Sequence, residues 1–309
     1  MTPIPKSGSH LRHLEPLPGT SRSHRRLPVA LLVFVLAVLV MPSRAASGGS
    51  SPDPSQLKPD ARKAFERYTQ LTDTRNQDEL RRGTNLLWID TLAEAPRKEA
   101  YAALRNAQVK IDKLETRDSG QAIQCPGCLI HHWVGVIFIP NAKVDDVLAI
   151  LQDYDHHSTY FAPDVERSKT LSRDGDHFRV FLRFRRHKVI TVILNSEHDV
   201  QYFRDAPDRA HSRSSATRIA EVENAGKSDE KEKTPGDDGG FLWGMETWWR
   251  MEERDGGVYV QSEVASLTRD IPTGLGWMIG PFVNGIPKET LTFTLEATRK
   301  AVQSKLPHR

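Results

Sequence analysis

Two hydrophobic periods divide this chain near Ile123. Before it, apolar residues recur at helical spacing. Pro59 suits the first turn of a helix with its body at Ala61–Leu71. Asp78–Arg82 continues the pattern, and in Arg97–Leu114 the residues Ala100, Leu104, Ala107 and Ile111 form one stripe. These stretches predict a helical amino-terminal region over 59–118. After Ile123 the period shortens to two. His132–Ile139 is β-branched and aromatic, and Val144–Leu151 is a short helix. Phe178, Val180, Leu182 and Phe184 alternate with His177, Arg179, Arg183 and Arg185, the pattern of a half-buried strand; Phe181 is one exposed aromatic on its polar side. Val189–Leu194 is apolar on both faces and predicts a central strand. His211–Glu223 puts Arg213, Ser215, Thr217 and Ile219 on one side. Met245–Glu252, with Met245, Thr247, Trp249 and Met251 on one face, and Val258–Ser266 complete the strands.

The carboxy-terminal segment carries both periods. Thr290–Leu295 alternates like a strand, yet Leu291, Leu295, Thr298 and Val302 form a helical stripe. Pro287 and Glu289 suit a helix first turn, so the reading is a helix from Ile286-Pro287. Phe293 then lies off the stripe, as in a helix enclosed on more than one side. Ala225–Gly240, rich in Lys, Asp, Glu and Gly, predicts a solvated loop. Its Asp237-Asp-Gly-Gly lacks the alternating spacing of a calcium loop.

The amino end changes the charge picture. Arg22–Arg26 is basic, Leu27–Met41 is uncharged and apolar, and Ser43 and Ala45 fit a secretory cleavage after Ala45. This predicts a signal peptide over 1–45 and a secreted or periplasmic protein; the alternative is a retained membrane anchor, for which the run is short. A Ser/Gly/Pro-rich tether over 46–58 follows. Six of the 43 basic and one of the 40 acidic residues precede residue 46, leaving 37 against 39, a net of −2. The basic balance belongs to the leader and gives no nucleic-acid footprint.

Candidate chemistry is sparse. There is no Gly-x-Ser-x-Gly, His-Glu-x-x-His or phosphate-loop motif, and no cofactor is expected. Gly274-Leu-Gly-Trp-Met-Ile-Gly280 departs from a dinucleotide fingerprint by one residue and reads as a hinge. Cys125-Pro-Gly-Cys128 precedes a strand, unlike a thioredoxin-type pair. A zinc site with His131 or His132 is one reading; a local disulfide or two free thiols at a turn is the simpler one. Asp153-Tyr-Asp-His-His157 places histidines at a helix end, where the dipole favours them. No metal is expected.

This order resembles the START-like superfamily (SRPBCC, helix-grip, polyketide cyclase-like). The resemblance rests on Phe138-Ile-Pro140, Val147–Tyr154, Trp248–Glu253, Tyr259–Glu263 and the helix after Ile286-Pro287, and covers 120–306. It implies an α+β helix-grip fold, in which a curved antiparallel sheet wraps a long C-terminal helix around an apolar tunnel. It further implies binding, and carriage, of a hydrophobic small molecule or lipid. The expected ligand-binding residues are Phe178, Val180, Leu182, Phe184, Met245, Trp249 and Met251, with Arg213 and Glu263 as interior polar anchors. Trp277, Met278 and Phe282 would gate the tunnel mouth. Rival readings are a cyclase or aromatase-type enzyme using the same cavity, and an envelope module whose helical region binds a partner protein. Membrane association and oligomeric state stay open.

Overall fold

The computed structural model describes residues 56–187, 191–270 and 276–307, with 276–284 described by backbone alone. The expected signal peptide and most of the tether lie outside the described residues. The chain begins with α1 (Pro59–Arg82), a 3-10 turn (Trp88–Thr91) and α2 (Glu94–Arg105). Short strands β1 (Lys110–Lys113), β2 (Arg117–Asp118) and β3 (Gln121–Ala122) lead to the long β4 (Cys128–Pro140). Helices α3 (Val144–Leu151) and α4 (His157–Tyr160) precede β5 (Val165–Asp174), β6 (His177–His187), β7 (Thr191–Ala206) and β8 (Arg209–Glu223). Then come β9 (Lys231–Glu232), β10 (Gly244–Arg254), β11 (Gly257–Arg269) and α5 (Gly276–Lys305).

The sheet runs β1-β4-β11-β10-β8-β7-β6-β5, antiparallel throughout, with β9 added to β8. The alternating segments thus form strands, and Val144–Leu151 is helical as its pattern predicts. The central-strand expectation at Val189–Leu194 is met from Thr191 onward, where β7 lies between β6 and β8; residues 188–190 lie outside the described residues.

Helix α5 crosses the inner face of the sheet. Leu291, Leu295, Thr298 and Val302 are all buried, so the helical stripe prevails over the local alternation. Fixing those residues as a strand would leave half the stripe in water, whereas the helix buries every member. Phe293 packs in a second cluster with Phe161, Val165 and Ala297, beside Leu182 and Phe184. The helix begins at Gly276, ten residues before the expected start, so Pro287 lies inside it and Gly276–Gly280 is helical rather than a hinge.

β4 passes under α5 at Gly135. A Cβ there would stand 2.5 Å from Leu295 Cδ1 and 3.1 Å from Ile111 Cγ1. The residue is glycine because helix, edge strand and sheet meet at one point.

The outer face is covered as well. Ala61, Phe65 and Tyr68 of α1 pack with Trp248, Ala265, Leu267 and Cys128. Ala100 and Leu104 of α2 pack with Val136, Phe138 and Tyr259. The amino-terminal helices therefore lie on the sheet. The expected helix over 97–114 ends at Arg105, capped by Asn106, and the chain reverses at Ala107 (φ 60°). Ile111 is a β1 residue paired with Gly135. The edge of β4 offered it backbone partners and an apolar contact that an extended α2 would not have supplied. Ala61–Leu71 and Asp78–Arg82 are one helix, closed by left-handed Gly83. The last tether residues are pinned: Leu57 N donates to Gly236 O at 2.7 Å, within the otherwise charged 225–240 loop.

Gly135→Val should destabilise the protein by about 1–3 kcal/mol through overpacking against Leu295 and Ile111. Urea unfolding monitored by circular dichroism measures this, and an unchanged midpoint would contradict the packing described.

Candidate functional site

The ladder register assigns every strand residue to one face. Inner-face rungs run across the sheet in order. Ala210, Met251, Val260 and Ile137 share one rung; Ser212, Trp249, Ser262 and Gly135 share the next. Then come Ser214, Thr247, Val264 and Trp133, followed by Met245, Ser266 and His131, with Ala216 opposite His198 on β7. On the neighbouring strands Phe178 pairs with Val200, Val180 with His198, Leu182 with Ser196 and Phe184 with Leu194.

Burial changes along this face. At one end Met251, Val258, Val260, Ile137 and Ile139 are buried in one cluster with Leu291, Leu295 and Val302. Toward the other end Trp133, Leu182, Phe184, Ser214, Ala216, Met245, Thr247, Trp249 and Val264 point the same way but are only half-buried. Phe293 and Thr294 of α5 are half-buried too. One half of the grip is solid core, and the other half retains accessible surface on the covered side of the sheet.

The expected lining residues divide accordingly. Phe178, Val180 and Met251 belong to the solid core; Leu182, Phe184, Met245 and Trp249 border the accessible half. Trp277, Met278 and Phe282 fall in the first turns of α5, and their side chains lie outside the described residues. Two expectations are corrected: Arg213 and Glu263 are not interior anchors. Their register partner is Trp248, on the outer face. Arg213 reaches Asp73 of α1 at 3.1 Å, and Glu263 is buried beneath that helix. A bulge at Thr217 also separates Ile219 from Arg213: Ala216 pairs with His198 but Arg218 with Glu197, so Ile219 turns inward opposite Ser196. Simple alternation cannot foresee that extra residue.

Glu263 centres a polar network between α1 and the sheet. His132 Nε2 donates to Glu263 Oε1 at 2.8 Å, and His132 Nδ1 meets the Tyr68 hydroxyl at 3.0 Å. Arg75 forms an ion pair with the same carboxylate. Burial pushes the Glu263 carboxyl up, but the His132 hydrogen bond and the charges of Arg75, His132 and Arg250 outweigh it and hold it down at about 2. Buried Arg250 donates to Leu86 O and Glu79 Oε2, each at 2.7 Å, and to Asn76. This cluster is closed off by α1 and joins helix to sheet.

The inner face carries buried neutral polar groups, with Lys113 on the Trp133 rung and Glu221, paired with Lys233, opposite Leu194. His198 Nε2 donates to Ser196 Oγ at 2.9 Å, and Ser196 donates to Leu182 O at 3.1 Å. His131 Nε2 lies 3.0 Å from Thr268 Oγ1. Desolvation lowers the pKa of His131 and His198 to about 4, and of His157, tucked against the Ile150 and Leu151 carbonyls, to about 4. His157 and its Asp153–Asp155 neighbours thus close the end of α3. Cys125 and Cys128 form a disulfide, the local pairing that the sequence left open beside free thiols. Among the described residues, no group of three or more His, Cys, Asp or Glu side chains converges as a metal site. Sequence reasoning missed Ser212, Ser262, Trp133 and His198. The position of Ser212, between outward His211 and Arg213, was its available signal.

No protein-family model and no curated protein matches the chain. Solved structures do. A fragment of the STAR-related lipid transfer protein from Xanthomonas axonopodis is similar at 18% identity and TM-score 0.41, over 62% of this chain and 98% of that one. The Zhui aromatase/cyclase from Streptomyces sp. R1128 gives 14% identity and TM-score 0.37, over 57% and 96%. A START superfamily protein from Mycobacterium smegmatis gives 11% and 0.35, over 58% and 99%. The strand order and the gripped terminal helix decide the architecture. The fold is a helix grip, an antiparallel sheet with the carboxy-terminal helix packed across its inner face. The α1–α2 layer on the outer face precedes the part of the chain in which the grip itself is built.

Acid sensitivity follows from the buried histidines. Each folded pKa lies below the ordinary 6.5, so the unfolded chain binds more protons between about pH 6.5 and 4. Stability should be complete above 6.5 and fall as the pH drops toward 4, by about 1 kcal/mol per pH unit for each ring. Urea midpoints measured from pH 7.5 to 4 test this; a flat profile would show that the rings are not held neutral.

Proposed function

We propose that this chain binds a hydrophobic small molecule or lipid between the sheet and α5, and carries it. The observation that supports this reading is the half-buried band at Trp133, Leu182, Phe184, Met245, Trp249 and Val264. These side chains lie on the covered face of the sheet, yet they are only half-buried where the neighbouring core is fully buried. Large aromatic and thioether side chains accommodate irregular apolar ligands. Burial of a hydrocarbon chain stabilises a complex by about 0.8 kcal/mol per methylene, enough for affinity without catalysis. The enzyme reading depended on Arg213 and Glu263 inside the cavity, and their place beneath α1 removes that support. The interaction-module reading needs a free apolar face on the amino-terminal helices, and they spend that face on the sheet.

The mature protein should enhance the fluorescence of diphenylhexatriene, a hydrocarbon dye that emits in apolar surroundings. Val264→Glu, which puts an unpaired carboxylate on the inner face, should weaken uptake at least about tenfold; Arg213→Ala, on the outer face, should leave it intact. Absence of uptake by the folded wild-type protein would end this reading.

Export is the second part of the proposal. It is supported by the basic-apolar-small leader and by the Cys125–Cys128 disulfide, which persists in oxidising compartments. Amino-terminal sequencing of the protein from a periplasmic or culture fraction should begin at Ala46. A full-length chain retained in membranes would instead identify an anchor.

A further inference from the structure

At the β1 edge of the inner face stand a cation and a buried donor, neither of them paired. Lys113 on β1 lies directly opposite Trp133 on β4. Ile111, two residues earlier, packs over Gly135 beneath α5, so Lys113 is on the same inner side. Lys113 is exposed at the rim, and among the described residues its ammonium makes no hydrogen bond or ion pair. The indole Nε1 of Trp133 is buried and unpartnered. The lysine charge is also felt inward. After desolvation, it is the second cause that keeps buried His131, on the next inner rung, neutral.

An ammonium and an indole N–H both donate, and neither accepts. On opposed strand positions their Cα atoms stand about 5 Å apart, within reach of the two oxygens of one carboxylate. Water satisfies the ammonium at the rim. The indole hydrogen is shut away from water, and an unmade bond there is destabilising. A neutral oxygen would satisfy the indole but gain little from the lysine charge. A carboxylate uses both groups, and its charge-assisted bonds are roughly twice as strong as neutral ones.

The remaining charges orient such a ligand. Near this edge Glu115 already pairs with Arg117 at 2.6 Å, and on α5 the exposed neighbours Lys288 and Glu289 carry opposite signs. Across the sheet the balance is different. Glu221, inward on β8, is buried and meets Lys233 at 3.2 Å, and Asp238 stands close enough for the two carboxylates to repel. A ligand carboxylate on that side would add a third negative charge to the pair. The β1 edge is the favourable end for an anion, and the hydrocarbon then runs across β11 and β10 over Val264 and Met245.

We propose that the ligand is a long-chain carboxylic acid bound as its anion, with the carboxylate held at the β1 edge by the Lys113 ammonium and the Trp133 indole. This rests on the hydrophobic-ligand reading above and specifies its polar end.

The test compares palmitate with hexadecanol, which share a sixteen-carbon body. Each displaces diphenylhexatriene from the mature protein at pH 8, where palmitate is ionised. Lys113→Gln should lower the ratio of palmitate to hexadecanol affinity about tenfold, the loss of one charge-assisted hydrogen bond. Lys113→Arg, which keeps the charge, should hold the ratio near its wild-type value. Trp133→Phe, which removes the N–H and keeps a ring, should lower it about fivefold. Arg213→Ala, on the outer face, should change neither affinity. A ratio left at the wild-type value by Lys113→Gln or by Trp133→Phe would overturn this inference and spare the broader one. So would dye uptake that palmitate does not displace. No dye uptake by the folded wild-type protein would overturn both.

Discussion

The structure depends on burial of β4 and β11 from both sides at once. An antiparallel sheet ordinarily covers one face and wets the other. Here α5 lies on the inner face while α1 and α2 lie on the outer one, so Val136, Ile137, Phe138 and Ile139 are all buried in succession. The closest approach is at Gly135, where Leu295 and Ile111 occupy the volume that a side chain would fill. This pins the carboxy-terminal half of α5 to the sheet. Beyond this contact the inner residues of the sheet are only half-buried, and the accessible band begins there.

The two covered faces hold different polar groups. On the outer face Glu263, Arg250, Arg75 and Glu79 form a network under α1, where each ion has a counter-ion or a carbonyl. Such a network costs desolvation and returns geometry, because the helix fits only where its carboxylates and guanidinia meet their partners. The inner face keeps serines, threonine, indoles and neutral histidines.

The amino-terminal helices are therefore part of the same compact architecture as the grip. Trp248 shows the coupling most directly. Its ring packs on Ala61, Phe65 and Tyr68, and its Nε1 donates to Asp73 of α1 at 3.0 Å. Its neighbour Trp249 faces the inner side. Adjacent residues of one strand thus join the outer layer and the inner band.

By itself the sequence determined the elements whose signal is local. Alternation in β6, β10 and β11 and the Leu291–Val302 stripe of α5 are properties of neighbouring side chains, and they placed Leu182, Phe184, Met245 and Trp249 on a common inner side. The tertiary structure decided whatever required knowing a distant partner. Ile111 became a strand residue because β4 had a free edge; the Thr217 bulge reversed Ile219; and α1, absent from any local pattern on β8 or β11, claimed Arg213 and Glu263. Polar residues in a strand do not announce which face they serve, since either a counter-ion or a ligand can satisfy them. That choice is made across the ladder and between layers, and only the assembled fold contains it.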